Sequence, residues 1–120
     1  MDLATFADIK TLVEQEPGRA AYALRDLIMR LQGALSSLEK LRVPEIAVTQ
    51  GACLGGSVVL FSACDIRFAS ADTKFGIEEI HIGMTADVGT LKRIPKLVPP
   101  AVVAELAYTG RRFSAEEALG

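Results

Sequence analysis

The stretch that most restricts how this chain can fold runs over residues 46–64. It joins a short β-branched run (Ile46-Ala47-Val48-Thr49), a glycine-rich hexapeptide (Gly51-Ala52-Cys53-Leu54-Gly55-Gly56) and an apolar octapeptide ending at Cys64. Pro44 closes off any preceding helix, because proline bars the α conformation from the residue before it. A short β-branched run without polar alternation predicts a strand buried on both faces, as in parallel sheets. The apolar run after the glycines predicts a compact buried helix that stops at Asp65. Strand, glycine turn and buried helix in close succession commit the chain to the α/β class.

The flanking sequence fits that class. Leu24, Leu27, Ile28, Leu31, Leu35, Leu38 and Leu41 recur at intervals of three and four, which predicts an amphipathic helix over residues 20–41. Asp26 and Arg30 form an exposed i, i+4 pair on it. Residues 1–17 read as a partly helical surface segment, with Pro17-Gly18 as a turn before the long helix. After the glycines, residues 66–69 alternate as a strand, Ala71-Asp72 makes a turn and residues 74–76 form a second extended piece. Residues 77–89 read as irregular, followed by helices over 90–97 and 100–108. A third helix starts at Ser114, where Ser-Ala-Glu-Glu supplies an N-cap and an acidic first turn.

Composition narrows the function. With 120 residues and half of them hydrophobic, the chain is one globular unit spanning residues 1–120. A net charge of -2, spread evenly over the two halves, provides no basic face for a nucleic acid. No apolar run approaches the roughly 18 residues that span a bilayer, and the opening Met-Asp-Leu-Ala does not resemble a signal peptide. Two cysteines in apolar surroundings, Cys53 and Cys64, suit buried thiols in a reducing, intracellular compartment.

The glycine turn has Ser57 where a phosphate loop needs lysine, and the GxGxxG spacing is absent. It leaves backbone N–H groups at the start of a buried helix, which suit a phosphate or a developing oxyanion. The alternative is a turn that only permits tight packing. The sole histidine, His81, and the serines outside any GxSxG elbow give no nucleophilic triad, and no His or Cys pair has zinc spacing. His81 reads as a partly exposed loop residue. Glu79 and Asp87 lie among Ile77, Ile80, Ile82, Met84, Ala86 and Val88. Carboxyls in apolar company are hard to keep charged, and a neighbouring pair gives an acid and a base together, the requirement for moving a proton. The alternative is that both cap surface turns.

VPEIAVTQGACLGGSVVLFSACDIRFAS over residues 43–70 and FGIEEIHIGMTADVGTLKRIPKLV over 75–98 resemble the crotonase (enoyl-CoA hydratase/isomerase) superfamily. TGRRFSAEEALG over 109–120 resembles the family's next helix-turn, and TADVGTLKRIPK is most similar to the dienoyl-CoA isomerases. The resemblance implies a crotonase-like ββα-spiral core, truncated at both ends relative to family members. It implies an acyl-CoA isomerase shifting 3,5-dienoyl-CoA to 2,4-dienoyl-CoA through an oxyanion-stabilised dienolate in fatty-acid β-oxidation. Glu79 and Asp87 would be the catalytic carboxylates, with Gly56, Gly55 and Leu54 forming the oxyanion and substrate-binding turn.

The resemblance further implies no metal and no cofactor, coenzyme A being part of the substrate, and a trimeric or hexameric homo-oligomer in the cytoplasm, a mitochondrion or a peroxisome. Val59 stands where hydratases have a second glutamate and dienoyl isomerases an aspartate, which disfavours hydration. The rival readings are a one-base 3-enoyl-CoA to 2-enoyl-CoA isomerase using Glu79 alone, and an inactive crotonase-like chain serving acyl-CoA binding or assembly.

Overall fold

Helix α1 (Pro17–Leu38) opens a computed structural model that describes Thr11, Glu14 and residues 16–119. Most of the segment read as partly helical, residues 1–17, lies outside the described residues. Pro17 and Gly18 are the first two residues of α1 and not a turn. Proline is at home there because its missing N–H would be unbonded in any case. The Glu16 carboxylate caps the end, accepting from the Gly18 and Arg19 N–H groups at 3.2 Å each. The helix stops three residues short of the expected Leu41, and single turns follow, with the N–H groups of Lys40 and Leu41 on the carbonyls of Ser37 and Leu38. Its apolar row, Leu24 to Leu38, is half-buried throughout. Asp26 and Arg30 are both exposed and form no ion pair among the described residues.

Strand β1 (Ile46–Thr49) leads through Gly51 into β2 (Ala52–Leu54), helix α2 (Gly56–Ala63), β3 (Ile66–Ala69) and β4 (Lys74–Gly76). The glycine hexapeptide is therefore not one turn: Ala52, Cys53 and Leu54 form a strand with a bend on either side. Gly51, at φ 70°, lets the chain leave one sheet and enter the other. β1 pairs in parallel with β3, Ile46 opposite Ile66, and β2 pairs in parallel with β4, Ala52 opposite Lys74. Two strand–strand units thus stack in register with α2 as the crossover, which is one turn of a ββα spiral.

β5 (Arg112–Ser114), absent from the sequence reading, adds antiparallel to β4. The helix expected over 90–97 is α3 (Thr90–Arg93) running into a 3₁₀ turn at Ile94–Lys96, since Pro95 cannot supply the next α-helical donor. α4 (Pro100–Thr109) and α5 (Ala115–Leu119) follow, and the Ser114 Oγ accepts from the Glu117 N–H at 3.1 Å as an N-cap should.

The core gathers Cys53, Val58, Phe75, Ile77, Ile94, Val103 and Leu106. Phe75 on β4 is its centre, with ring centroids 5.3 Å from Phe61 and 5.5 Å from Phe113. β1 departs from expectation, because it is buried on one side only. Ile46, Val48 and Phe68 are 60%, 76% and 59% exposed, while Ala47 and Thr49 turn inward. The two-stranded β1–β3 sheet meets α2 through β1, while Ile46, Val48, Ile66 and Phe68 stay exposed.

Gly110 ends α4 at φ 62° and holds the strap to β5 against the 3₁₀ helix Glu79–Ile82. A Cβ there would fall 2.6 Å from both His81 Nε2 and Ile80 Cγ2. Left-handed backbone and steric overlap act together, so Gly110→Ala is expected to cost about 2 kcal/mol. Denaturant unfolding monitored by circular dichroism measures it, as a lowered midpoint with an unchanged slope.

Candidate active site

The turn from β2 into α2 is set by Gly55, at φ 52° and ψ -119°, a region open in practice only to glycine. Its N–H donates to the Gly76 carbonyl at 2.8 Å, extending the β2–β4 ladder, and its carbonyl accepts from the Val58 N–H at 2.9 Å. The two N–H groups in between, on Gly56 and Ser57, have no acceptor among the described residues, as the first donors of a helix must unless something outside it supplies one. Gly56 is exposed, and a Cβ on it would meet nothing within 4 Å. The free N–H groups expected at the start of this helix are present, and the Cβ side of Gly56 is open space.

Glu79 heads the 3₁₀ helix and brings its carboxylate to this turn. Its Oε1 lies 3.5 Å from where a Gly55 Cβ would stand, and its Oε2 is buried without a hydrogen-bond partner among the described residues. An unpartnered buried carboxylate oxygen is costly to keep, and the glycine turn is its neighbour here. The 3₁₀ helix is pinned on both sides of Glu79. Glu78 pairs with Arg112 of β5, and His81 Nε2 meets the Gly110 carbonyl at 2.8 Å. His81, expected in a loop, is thus an exposed residue of this helix with a structural bond.

Asp87 lies elsewhere, half-buried on the wall of a cavity of about 390 Å³ lined by Gln32, Ser36, Asp87, Val88, Gly89 and Arg93 among others, with neither Glu79 nor Gly56 on its surface. The Asp87 carbonyl accepts from Gln32 Nε2 at 2.6 Å. Arg93, buried in a nearly closed niche, reaches Ser36 Oγ at 3.0 Å and Glu39 Oε2 at 2.9 Å, and fills the space a Cβ on Gly89 would need. Sequence reasoning missed Gln32 and Arg93. The signal was there, since Gln32, Ser36 and Glu39 recur at i, i+4, i+7 as a polar stripe on α1.

Leu54 sits in β2 opposite Gly76, and its Cδ2 comes within 3.2 Å of the place a Gly76 Cβ would take. Val59 is fully buried in the first turns of α2. Both cysteines are free, Cys53 buried and Cys64 half-buried. Burial pushes both thiols up, with a Thr49 hydrogen bond partly offsetting it for Cys53 and Glu45 reinforcing it for Cys64. Neither is a ready nucleophile. No described helix is long and apolar enough to cross a membrane.

Stacked parallel ββα units with an acid beside an open helix N-terminus define a crotonase-type α/β spiral. The family model for enoyl-CoA hydratase/isomerase matches residues 4–120, and the chain belongs to that family. It is 43% identical over 120 residues to a peroxisomal Delta(3,5)-Delta(2,4)-dienoyl-CoA isomerase of Arabidopsis thaliana, covering 98% of this chain and 43% of that one. It is 42% identical over 121 residues to the mitochondrial enzyme of that name from Homo sapiens, covering all of this chain and 36% of the other. A solved structure of an enoyl-CoA hydratase/isomerase family protein from Hyphomonas neptunium superposes with a TM-score of 0.81 at 34% identity, over 98% of this chain and 42% of that one. The chain spans about two fifths or less of the length of these relatives.

The pinning of the Glu79 helix is pH-dependent with a definite sign. The hydrogen bond from Arg112 holds the Glu78 carboxyl below its ordinary value, with the charges of Arg112 and His81 adding to it. A lowered folded-state value means that the pair stabilises the fold above the ordinary carboxylate range, and that this is lost as pH falls through the lowered value. The parent should therefore melt slightly above Glu78→Gln at pH 7, the effect being small because Arg112 is exposed. The gap should close on acidification below about pH 4, which thermal melts of both proteins across that range check.

Proposed function

We propose that this chain carries the proton-transfer part of an acyl-CoA isomerase site converting 3,5-dienoyl-CoA to 2,4-dienoyl-CoA. The observation that carries the reading is the Glu79 carboxylate beside Gly55, at the turn that leaves the Gly56 N–H without an acceptor. In the reaction the C2–H bond breaks as a carboxylate takes the proton. The electron pair left on C2 is shared with the adjacent thioester oxygen and, through the diene, with C6, giving a dienolate, and a proton is returned at C6 so that the double bonds settle at C2 and C4. Gly56 donates its N–H to the developing oxyanion, and Gly55 and Leu54 shape the turn that holds it. Glu79 serves C2 and Asp87 serves C6, two sites too far apart for one short side chain. Coenzyme A arrives as part of the substrate, and no cofactor or metal enters the reading.

The likeness to proteins named dienoyl-CoA isomerase supports this substrate class, and the buried Val59 supports isomerisation over hydration, because it cannot orient water. β-Oxidation, a homo-oligomeric assembly and a mitochondrial or peroxisomal setting belong to the same reading. One observation favours the one-base alternative: Asp87 faces a cavity that Glu79 does not line. On that reading Glu79 alone moves a proton between C2 and C4 of a 3-enoyl-CoA.

Solvent deuterium incorporation separates the two. With 3,5-dienoyl-CoA, Glu79→Gln is expected to lower turnover by about 10²- to 10⁴-fold and to suppress exchange at C2. Its melting temperature should stay close to that of the parent, since Glu79 Oε2 has no hydrogen bond to lose among the described residues. Asp87→Asn is expected to remove transfer at C6 while leaving exchange at C2. Parent-like turnover in both variants would falsify the proton-shuttle reading, and sensitivity to Glu79 alone selects the one-base isomerase.

A further inference from the structure

Gln32 is on α1, 55 residues from Asp87 in sequence, and its side-chain amide donates to the Asp87 carbonyl at 2.6 Å. The segment that carries Asp87 has little else to fix it. It runs between Gly83 at φ 69° and Gly89 at φ 118°, and the Asp87 N–H reaches only the Thr85 carbonyl, two residues back. Ala86 is buried in the core, but a small side chain leaves the direction of its neighbour undetermined. α1 is also fixed to α3, the helix that follows the segment, through Arg93, which packs on Gly89 and holds Ser36 and Glu39 one and two turns after Gln32. α1 is therefore joined to the Asp87 segment at Gln32 and to the helix after it at Ser36 and Glu39, along one polar stripe.

We propose that Gln32 is a positioning residue that aims the Asp87 carboxylate by holding its backbone carbonyl from α1. The proposal rests on the reading of Asp87 as the second proton-transfer group. A carbonyl fixed from outside the segment fixes the peptide plane that follows it, and with it the range of directions the Asp87 side chain can take toward the cavity. Glutamate is the informative replacement, because it matches glutamine in shape yet only accepts when ionised, so it faces the carbonyl without a proton to give.

The test compares the 120-residue protein with Gln32→Glu and Gln32→Ala by amide hydrogen exchange and by turnover of 3,5-dienoyl-CoA. At neutral pH exchange over residues 85–89 is expected to speed up about tenfold in both variants, with α1 itself unchanged. Near pH 4, once rates are corrected for intrinsic exchange, Gln32→Glu should regain protection as its carboxyl takes up a proton, and Gln32→Ala should not. Turnover should fall about tenfold in kcat with KM held. Parent-like protection in Gln32→Glu at neutral pH overturns the tether. Lost protection with unchanged kcat, where Asp87→Asn does lower kcat, overturns the positioning role. If Asp87→Asn leaves turnover intact, the reading of Asp87 fails, and the exchange result still reports on the tether separately.

Discussion

The parallel pairing of β2 with β4 is the interaction on which the rest of this structure depends. Three residues on each strand suffice, and the ladder ends with the Gly55 N–H on the Gly76 carbonyl. That last bond settles where the glycine turn stands relative to the chain leaving β4. Ile77, Glu78 and Glu79 follow Gly76 directly, so a turn joined to Gly76 necessarily has Glu79 close by. The same pairing places Cys53 and Phe75 in the core, where the Phe61–Phe75–Phe113 contacts tie α2, β4 and β5 together. Stability and candidate chemistry come from one short ladder.

Around that ladder, the two carboxylates are supported in different ways. Glu79 rides on a short 3₁₀ helix clamped by an ion pair and a histidine bond, and one of its oxygens is buried and unpartnered. Asp87 rides on an irregular segment whose support is a glutamine from a distant helix and a buried arginine. Rigid support of the first suits the role proposed for it, meeting a substrate atom at a fixed place beside the turn. Support from a second element makes the aim of the other depend on how α1 lies.

Much of this was legible in the sequence, for identifiable reasons. The leucine row of α1 and the apolar run of α2 declared themselves by periodicity and by the proline and aspartate that bound them. Glu79 stood out because a carboxylate among isoleucines is anomalous. β5 was missed because Arg112-Phe113-Ser114 is too short to alternate visibly and exists only through its pairing with β4. β2 was hidden inside the glycines, since strand propensity says little where two bends lie three residues apart. The burial of β1 was misjudged because Ile46 and Val48 look like core residues in isolation, and only the arrangement of neighbours shows that one face is open. Gln32 escaped notice because a glutamine among helix-surface residues looks like solvent-facing filler until its partner is known.

That open face has a consequence for the chain as a colloid. Ile46, Val48 and Phe68 form a flat apolar area on a two-stranded sheet, and a formal net charge of -2 gives copies of the molecule little mutual repulsion. Salts such as sulfate, which strengthen apolar burial, act on this surface before they act on the core. Among the described residues this side of β1 and β3 is therefore a place where copies can adhere, and a polar residue at Val48, which is 76% exposed, would weaken that tendency without touching the ladder that holds the fold.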